Sequence, residues 1–168
     1  MTDDQAARAA ADLAGLLART VDELAARDAR QESLAEVKPS RRLLLVHTSA
    51  SLLPAGRAWR LGVLLLGREG QVWATGSITR ATEPKRAQDL SASVEARREA
   101  RRAASRKFAE GEVVNYGHQP VVTDAEALRA GTAEPLVLVG DVVHVRWGRG
   151  PGELRELGAY LADRADLL

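Results

Sequence analysis

Arginine is the residue type whose number and spacing carry the most chemistry in this chain. Of its 24 basic residues, 21 are Arg and the others are Lys38, Lys85 and Lys107. Arg98, Arg102 and Arg106 lie four apart, so on a helix they form one row, and Arg97 with Arg101 forms the row beside it. A guanidinium donates two parallel hydrogen bonds to a phosphate or a carboxylate, so such rows suit an anionic ligand or polyanion. Lys107 extends the rows, and Arg41, Arg42, Lys85 and Arg86 are expected nearby. The competing reading is a solvated face with internal pairs, Glu95–Arg98 and Glu99–Arg102 at i,i+3.

A second set of residues could support nucleophilic chemistry. Thr75 and Ser77 carry hydroxyls on the polar side of an expected hairpin, beside Arg60. Gly62 and Gly76 leave room there for a ligand or another backbone. His118, in Tyr116-Gly117-His118-Gln119-Pro120, stands where a base could be exposed. His144 alternates with valines and reads as structural, and His47 closes an apolar run. No two histidines have metal-ligand spacing, and no His-Glu-x-x-His occurs, so no metal is expected. The chain has no cysteine, which excludes a thiol nucleophile, a disulfide scaffold and Cys-ligated metal sites. It also lacks G-x-S-x-G, S-x-x-K, a phosphate loop and G-x-G-x-x-G, so no cofactor is expected.

These groups must be positioned by elements that the pattern also reveals. Thr2-Asp3-Asp4-Gln5 fits a capping box opening a helix from residue 3 to about 31. Leu13, Leu16, Leu17, Val21 and Leu24 form its narrow apolar stripe. Residues 1–37 are read as this amphipathic helix, bounded near 36–42, and residues 38–168 as an α+β domain. Leu43–Val46 reads as a strand, Pro54-Ala55-Gly56 as a turn, and 58–66 with 71–79 as a hairpin in which 66 faces 71. A helix follows over 94–108, capped by Ser93. Then come a strand at Val113–Tyr116 and a short helix opened by Thr123-Asp124-Ala125-Glu126 and closed by Gly131. A hairpin around Gly140-Asp141 and a C-terminal helix opening near Pro151-Gly152 complete the order. Hairpins alternating with helices predict an α+β layered domain with an antiparallel or mixed sheet.

Charge is unevenly spread along the chain. Residues 1–37 carry net −4, residues 38–110 net +9 and residues 111–168 net −4, within a total of +1. A basic middle between acidic ends implies either an anionic partner or internal neutralisation. Six aromatics, widely scattered, are too few for a base-stacking platform. No apolar run approaches membrane-spanning length and the N-terminus lacks a leader pattern, so a soluble cytoplasmic protein is expected, with no membrane partner.

Two resemblances follow from particular stretches. Gly62-Val-Leu-Leu-Leu-Gly-Arg-Glu-Gly-Gln-Val-Trp73, followed by the charged helix, resembles the first half of a Nudix-type domain, and the element order over roughly 43–168 is similar. Arg98 and Glu99 match the first pair of that family's helix motif. Arginines and alanines then stand where its magnesium-binding carboxylates belong. The resemblance therefore implies a Nudix-like fold and argues against metal-dependent hydrolysis. Gly56-Arg-Ala-Trp-Arg-Leu-Gly-Val-Leu-Leu-Leu66, Ala74-Thr-Gly-Ser-Ile-Thr-Arg-Ala81 and Glu110-Gly-Glu-Val-Val-Asn-Tyr116 resemble a group of short actinobacterial proteins, some of them called glutaminases. That resemblance implies an amide hydrolase with Thr75 or Ser77 as nucleophile. The leading expectation is a binding module for an anionic ligand, with Arg60, Arg98, Arg102 and Arg106 as its contacts. A third reading is a protein–protein adaptor or homo-oligomer formed through the N-terminal helix.

Overall fold

Helix α1 (Asp3–Ala26) starts where the sequence says it should. The Gln5 amide donates to Thr2 Oγ1 and the Thr2 amide to Gln5 Oε1, closing the capping box. The helix ends earlier than expected because Asp28 takes φ 49°. The Asp28 amide then bonds Ala25 O and the Ala29 amide bonds Leu24 O, a Schellman closure with Asp in the place glycine usually fills. The computed structural model describes residues 2–38, 42–43, 46–47, 51–83, 92–148, 150 and 152–168. Arg41, Lys85 and Arg86 lie outside the described residues, and for Arg42 and His47 only the backbone is described.

The remaining elements are β1 (Glu32–Lys38), β2 (Arg42–Leu43), β3 (Val46–His47), β4 (Ser51–Leu61), β5 (Leu64–Leu66), β6 (Val72–Ala74), β7 (Ser77–Arg80), α2 (Ala92–Ser105), β8 (Val113–Tyr116), β9 (Gln119–Pro120), α3 (Ala125–Ala130), β10 (Leu136–Val139), β11 (Val142–Arg146), β12 (Leu154–Glu156) and α4 (Leu157–Ala165). The fold is α+β. Seven strands follow the order β7-β8-β1-β4-β5-β6-β9, with β1 and β8 parallel and the other pairs antiparallel. A smaller sheet has the order β10-β11-β12, and β2 pairs with β3. The chain forms two compact units, residues 1–31, 59–75 and 119–168 in the first and residues 32–58 and 76–118 in the second.

In the first unit, α1 packs on α3, α4 and β11. Leu13, Leu17 and Leu24 are buried there, with Leu16 and Val21 half-buried. The stripe of α1 thus docks within its own unit. Trp59, Leu61, Leu64, Leu66 and Val72 join the same core, and the Trp59 indole donates to Ala29 O at 2.9 Å. The expected hairpin is corrected here. The chain turns at Gly62-Val63, so Leu61 faces Leu64 and Leu66 faces Val72, one residue away from the expected register. The turn puts Leu64 and Leu66 on the core face with Trp59 and Leu61, while Leu65, on the other face, is buried as well. Gly62 has φ +65°, and a Cβ there would run into the Tyr160 hydroxyl, which accepts from the Val63 amide at 2.9 Å.

Other boundaries of the first unit also differ. Asp124, not Thr123, caps α3, accepting from the Ala127 amide at 2.8 Å. Gly131 closes that helix, and Val139 faces Val142 across Gly140-Asp141 as expected. Residues 154–156 form an edge strand, so the last helix opens at Leu157 instead of near residue 152.

In the second unit, Pro54-Ala55-Gly56 lies inside β4 and makes no turn. Leu34 faces Gly56 and Ala35 faces Pro54, so Ala55 is the extra residue of a bulge, which is where a strand tolerates proline. The expected single strand Leu43–Val46 is replaced by a pairing of Arg42 with His47 and Leu43 with Val46. Helix α2 includes Ser93 in its first turn and stops at Ser105, three residues before the expected end. Its small residues Ala103 and Ala104 pack on Ala35, Leu52, Ala81 and Val114. Alanines at these positions let the helix lie close to the strands and leave its arginines at the margins.

Candidate functional site

Helix α2 packs against β7, and between them opens a cleft of about 270 Å³ lined by Ile78, Thr79, Arg80, Arg97, Arg101, Val113 and Tyr116. Arg97 and Arg101 reach it because they lie one turn apart on a single helical face. Arg80 reaches it from the last position of β7. Two of the three arginines are tethered: Arg80 Nη1 donates to Gly111 O at 3.1 Å and Arg97 Nε to Ser93 O at 3.2 Å. All three are exposed, and none is ion-paired among the described residues. No carboxylate lines the cleft among those residues. Ile78, Val113 and Tyr116 are its apolar lining residues. Arginines lining a partly apolar cleft can hold phosphate or carboxylate groups by charge-assisted hydrogen bonds while covering an attached apolar moiety.

The row expected to bind divides differently. Arg98 is turned partly inward, its side chain 20% exposed and paired with Glu95 at 3.7 Å. Arg102 is exposed in the last turn of α2, and Arg106 lies beyond the helix end, also exposed. None of these lines the cleft. Arg60 sits half-buried on the part of β4 that belongs to the first unit. The adjacent row, Arg97 and Arg101, is the one that shares a cleft. Arg80, Thr79 and Tyr116 were not legible as partners of that row, since only the pairing of β7 with β8 brings them there.

The hydroxyl candidates are also separated. Thr75 is half-buried after β6, its amide bonded to Val63 O, and belongs to the first unit. Ser77 is exposed at the start of β7, opposite Tyr116, in the second. The expected shared face of Arg60, Thr75 and Ser77 is therefore not formed by one hairpin. Gly76 is required just before Ser77, since a Cβ would strike the Gly117 backbone. His118 follows that approach. It is half-buried, and burial lowers its pKa below the usual 6.5, opposed by the field of Glu36. His144 is half-buried, its Nδ1 3.1 Å from Val142 O.

The second unit also holds a polar cluster that the sequence reading missed. Glu112 accepts from Ser33 Oγ at 2.5 Å, from Arg57 Nη1 at 2.8 Å and from the Ala109 amide at 3.1 Å. Asn115, fully buried, donates to Glu32 at 2.8 Å. Ser33 is buried, and the Ser33 bond leads the causes that hold the Glu112 carboxyl below its usual range. The cluster reads as a strut between β1, β4 and the start of β8.

No family model, curated protein or solved structure matches the chain. Among the described residues no helix is long and apolar enough to cross a membrane, and no group of three or more His, Asp or Glu could hold a metal ion.

Proposed function

We propose that the protein is a binding module for an anionic ligand, held in the cleft between α2 and β7. The observation that carries this reading is that Arg80, Arg97 and Arg101 line one cleft with no lining carboxylate among the described residues. Arg97 and Arg101 repel each other by a few tenths of a kcal/mol at i,i+4. A bound anion removes that penalty. Arg102 and Arg106 add to the positive potential of the same segment without touching the ligand.

The test is a titration of a labelled oligonucleotide and of heparin at low and physiological salt. Arg97→Ala/Arg101→Ala should weaken both, and the salt slope should fall because fewer counterions are released. Arg102→Ala/Arg106→Ala should have a smaller effect. Unchanged affinity and slope in the Arg97/Arg101 variant would remove the cleft as the binding surface.

A further inference from the structure

Among the described residues, strand β7 ends the seven-strand order, bonded on one side to β8. An antiparallel ladder directs successive residues alternately toward one neighbour and then the other. Ala81 bonds to Glu112 O, on the β8 side. Alternation then puts Thr79 on that side too and turns the amide and carbonyl of Ile78 outward, with the Arg80 amide. The Arg80 carbonyl is occupied by the Thr82 amide at 2.9 Å. Ile78 itself is 49% exposed, a large apolar side chain on an edge. Edges of this kind are templates for another strand.

The arginines fit the side chains of such a strand. Arg97 and Arg101 are separated by one helical turn, about 6 Å along the axis. Alternate side chains of an extended peptide are about 6.7 Å apart. Carboxylates at alternate positions could therefore meet Arg97 and Arg101, while the intervening side chains turn to the other face, toward Ile78 and Val113. A nucleic-acid occupant is less well matched, because Tyr116 is the one aromatic lining the cleft among the described residues and successive bases need successive rings.

We propose that β7 takes up an extended acidic peptide as an added strand, its carboxylates on Arg97 and Arg101. This rests on the reading of the cleft as an anion site and adds the class of ligand. The probe is a capped, fluorescein-labelled peptide of sequence Glu-Thr-Glu-Val-Glu-Thr-Glu, titrated into the full chain and followed by anisotropy. Two N-methylated versions each block one alternating set of its amides, and inorganic tripolyphosphate is titrated separately by calorimetry. The parent peptide should bind, and Arg97→Gln/Arg101→Gln, both at exposed helix positions, should weaken it at least tenfold with an unchanged circular dichroism spectrum. One N-methylated peptide should lose at least tenfold and the other less than threefold, because only one set of amides faces β7. Equal binding by both N-methylated peptides and the parent overturns strand addition. Tripolyphosphate binding without peptide binding overturns it while the anion site stands, and binding of neither probe overturns both. Tighter binding of a short oligothymidylate than of the peptide assigns the cleft to nucleic acid and also overturns the proposal.

Discussion

Replacing Glu112 with Gln should destabilise the protein by about 2 kcal/mol, the scale of one lost hydrogen bond to a charged group. The geometry shows why one bond must go. One carboxylate oxygen accepts from Ser33 and Arg57, and the other accepts from the Ala109 amide. A carboxamide has one acceptor oxygen and one donor nitrogen. If its oxygen serves Ser33 and Arg57, its NH2 opposes the Ala109 N–H; if it flips, the NH2 opposes Arg57. The Arg57 pair itself adds little, since that side chain is 54% exposed and screened by solvent. Urea denaturation of Glu112→Gln, Ser33→Ala and the double variant at pH 7 measures the loss and the coupling between the two side chains. The pH dependence has a definite sign. The folded pKa lies below the ordinary 4.5, so the folded state binds fewer protons than the unfolded state. The contribution is complete above about pH 4.5 and is lost as pH falls toward the folded value. Glu112→Gln should flatten that part of the acid limb. A loss under 0.5 kcal/mol with an unaltered acid limb, against the ~2 kcal/mol expected for a charged hydrogen bond, would refute the strut.

Gly62→Ala should cost about 1–2 kcal/mol from the left-handed backbone alone, and more because the Tyr160 hydroxyl must leave the Val63 amide; thermal denaturation reads it, and a neutral result would contradict the turn. Asp124→Ala should cost about 1 kcal/mol through the lost α3 cap, whereas Thr123→Ala should cost less. NMR titration should place His118 below 6.5, because burial outweighs the field of Glu36, and Glu36→Gln should lower it further.

The sequence resolved what short-range chemistry determines. The Thr2–Gln5 box, the Gly131 closure and the Gly140-Asp141 hairpin each depend on residues within one turn, and all three are present. The helix end at Asp28 was hidden because Asp took a position that glycine signals. The first hairpin differs from its pattern because 58–66 alternates well enough to pass for one strand. Leu64 and Leu66 face the core only after the turn at Gly62, and Tyr160, about a hundred residues away in sequence, helps to hold that turn. The cleft had the same difficulty. Arg97 and Arg101 were visible as a row, but choosing between the two rows required knowing which face of α2 the alanines bury. The Glu112 cluster joins residues from three separate stretches, so no local pattern announces it.

The order in which the two units use the chain has a consequence for synthesis. Three elements that pack on α1, namely α3, α4 and β11, begin at residue 125 or later. A nascent chain therefore has only the Trp59–Val72 part of this core to offer the Leu13–Leu17–Leu24 stripe while most of its length is made. The second unit, complete by residue 118, has all of its strands in hand well before α1 can dock. Between those two points the growing polypeptide displays an amphipathic helix to whatever is near the ribosome. A chaperone that reads apolar helical stripes would find its longest opportunity there, and stalling translation between residues 118 and 125 should capture that complex.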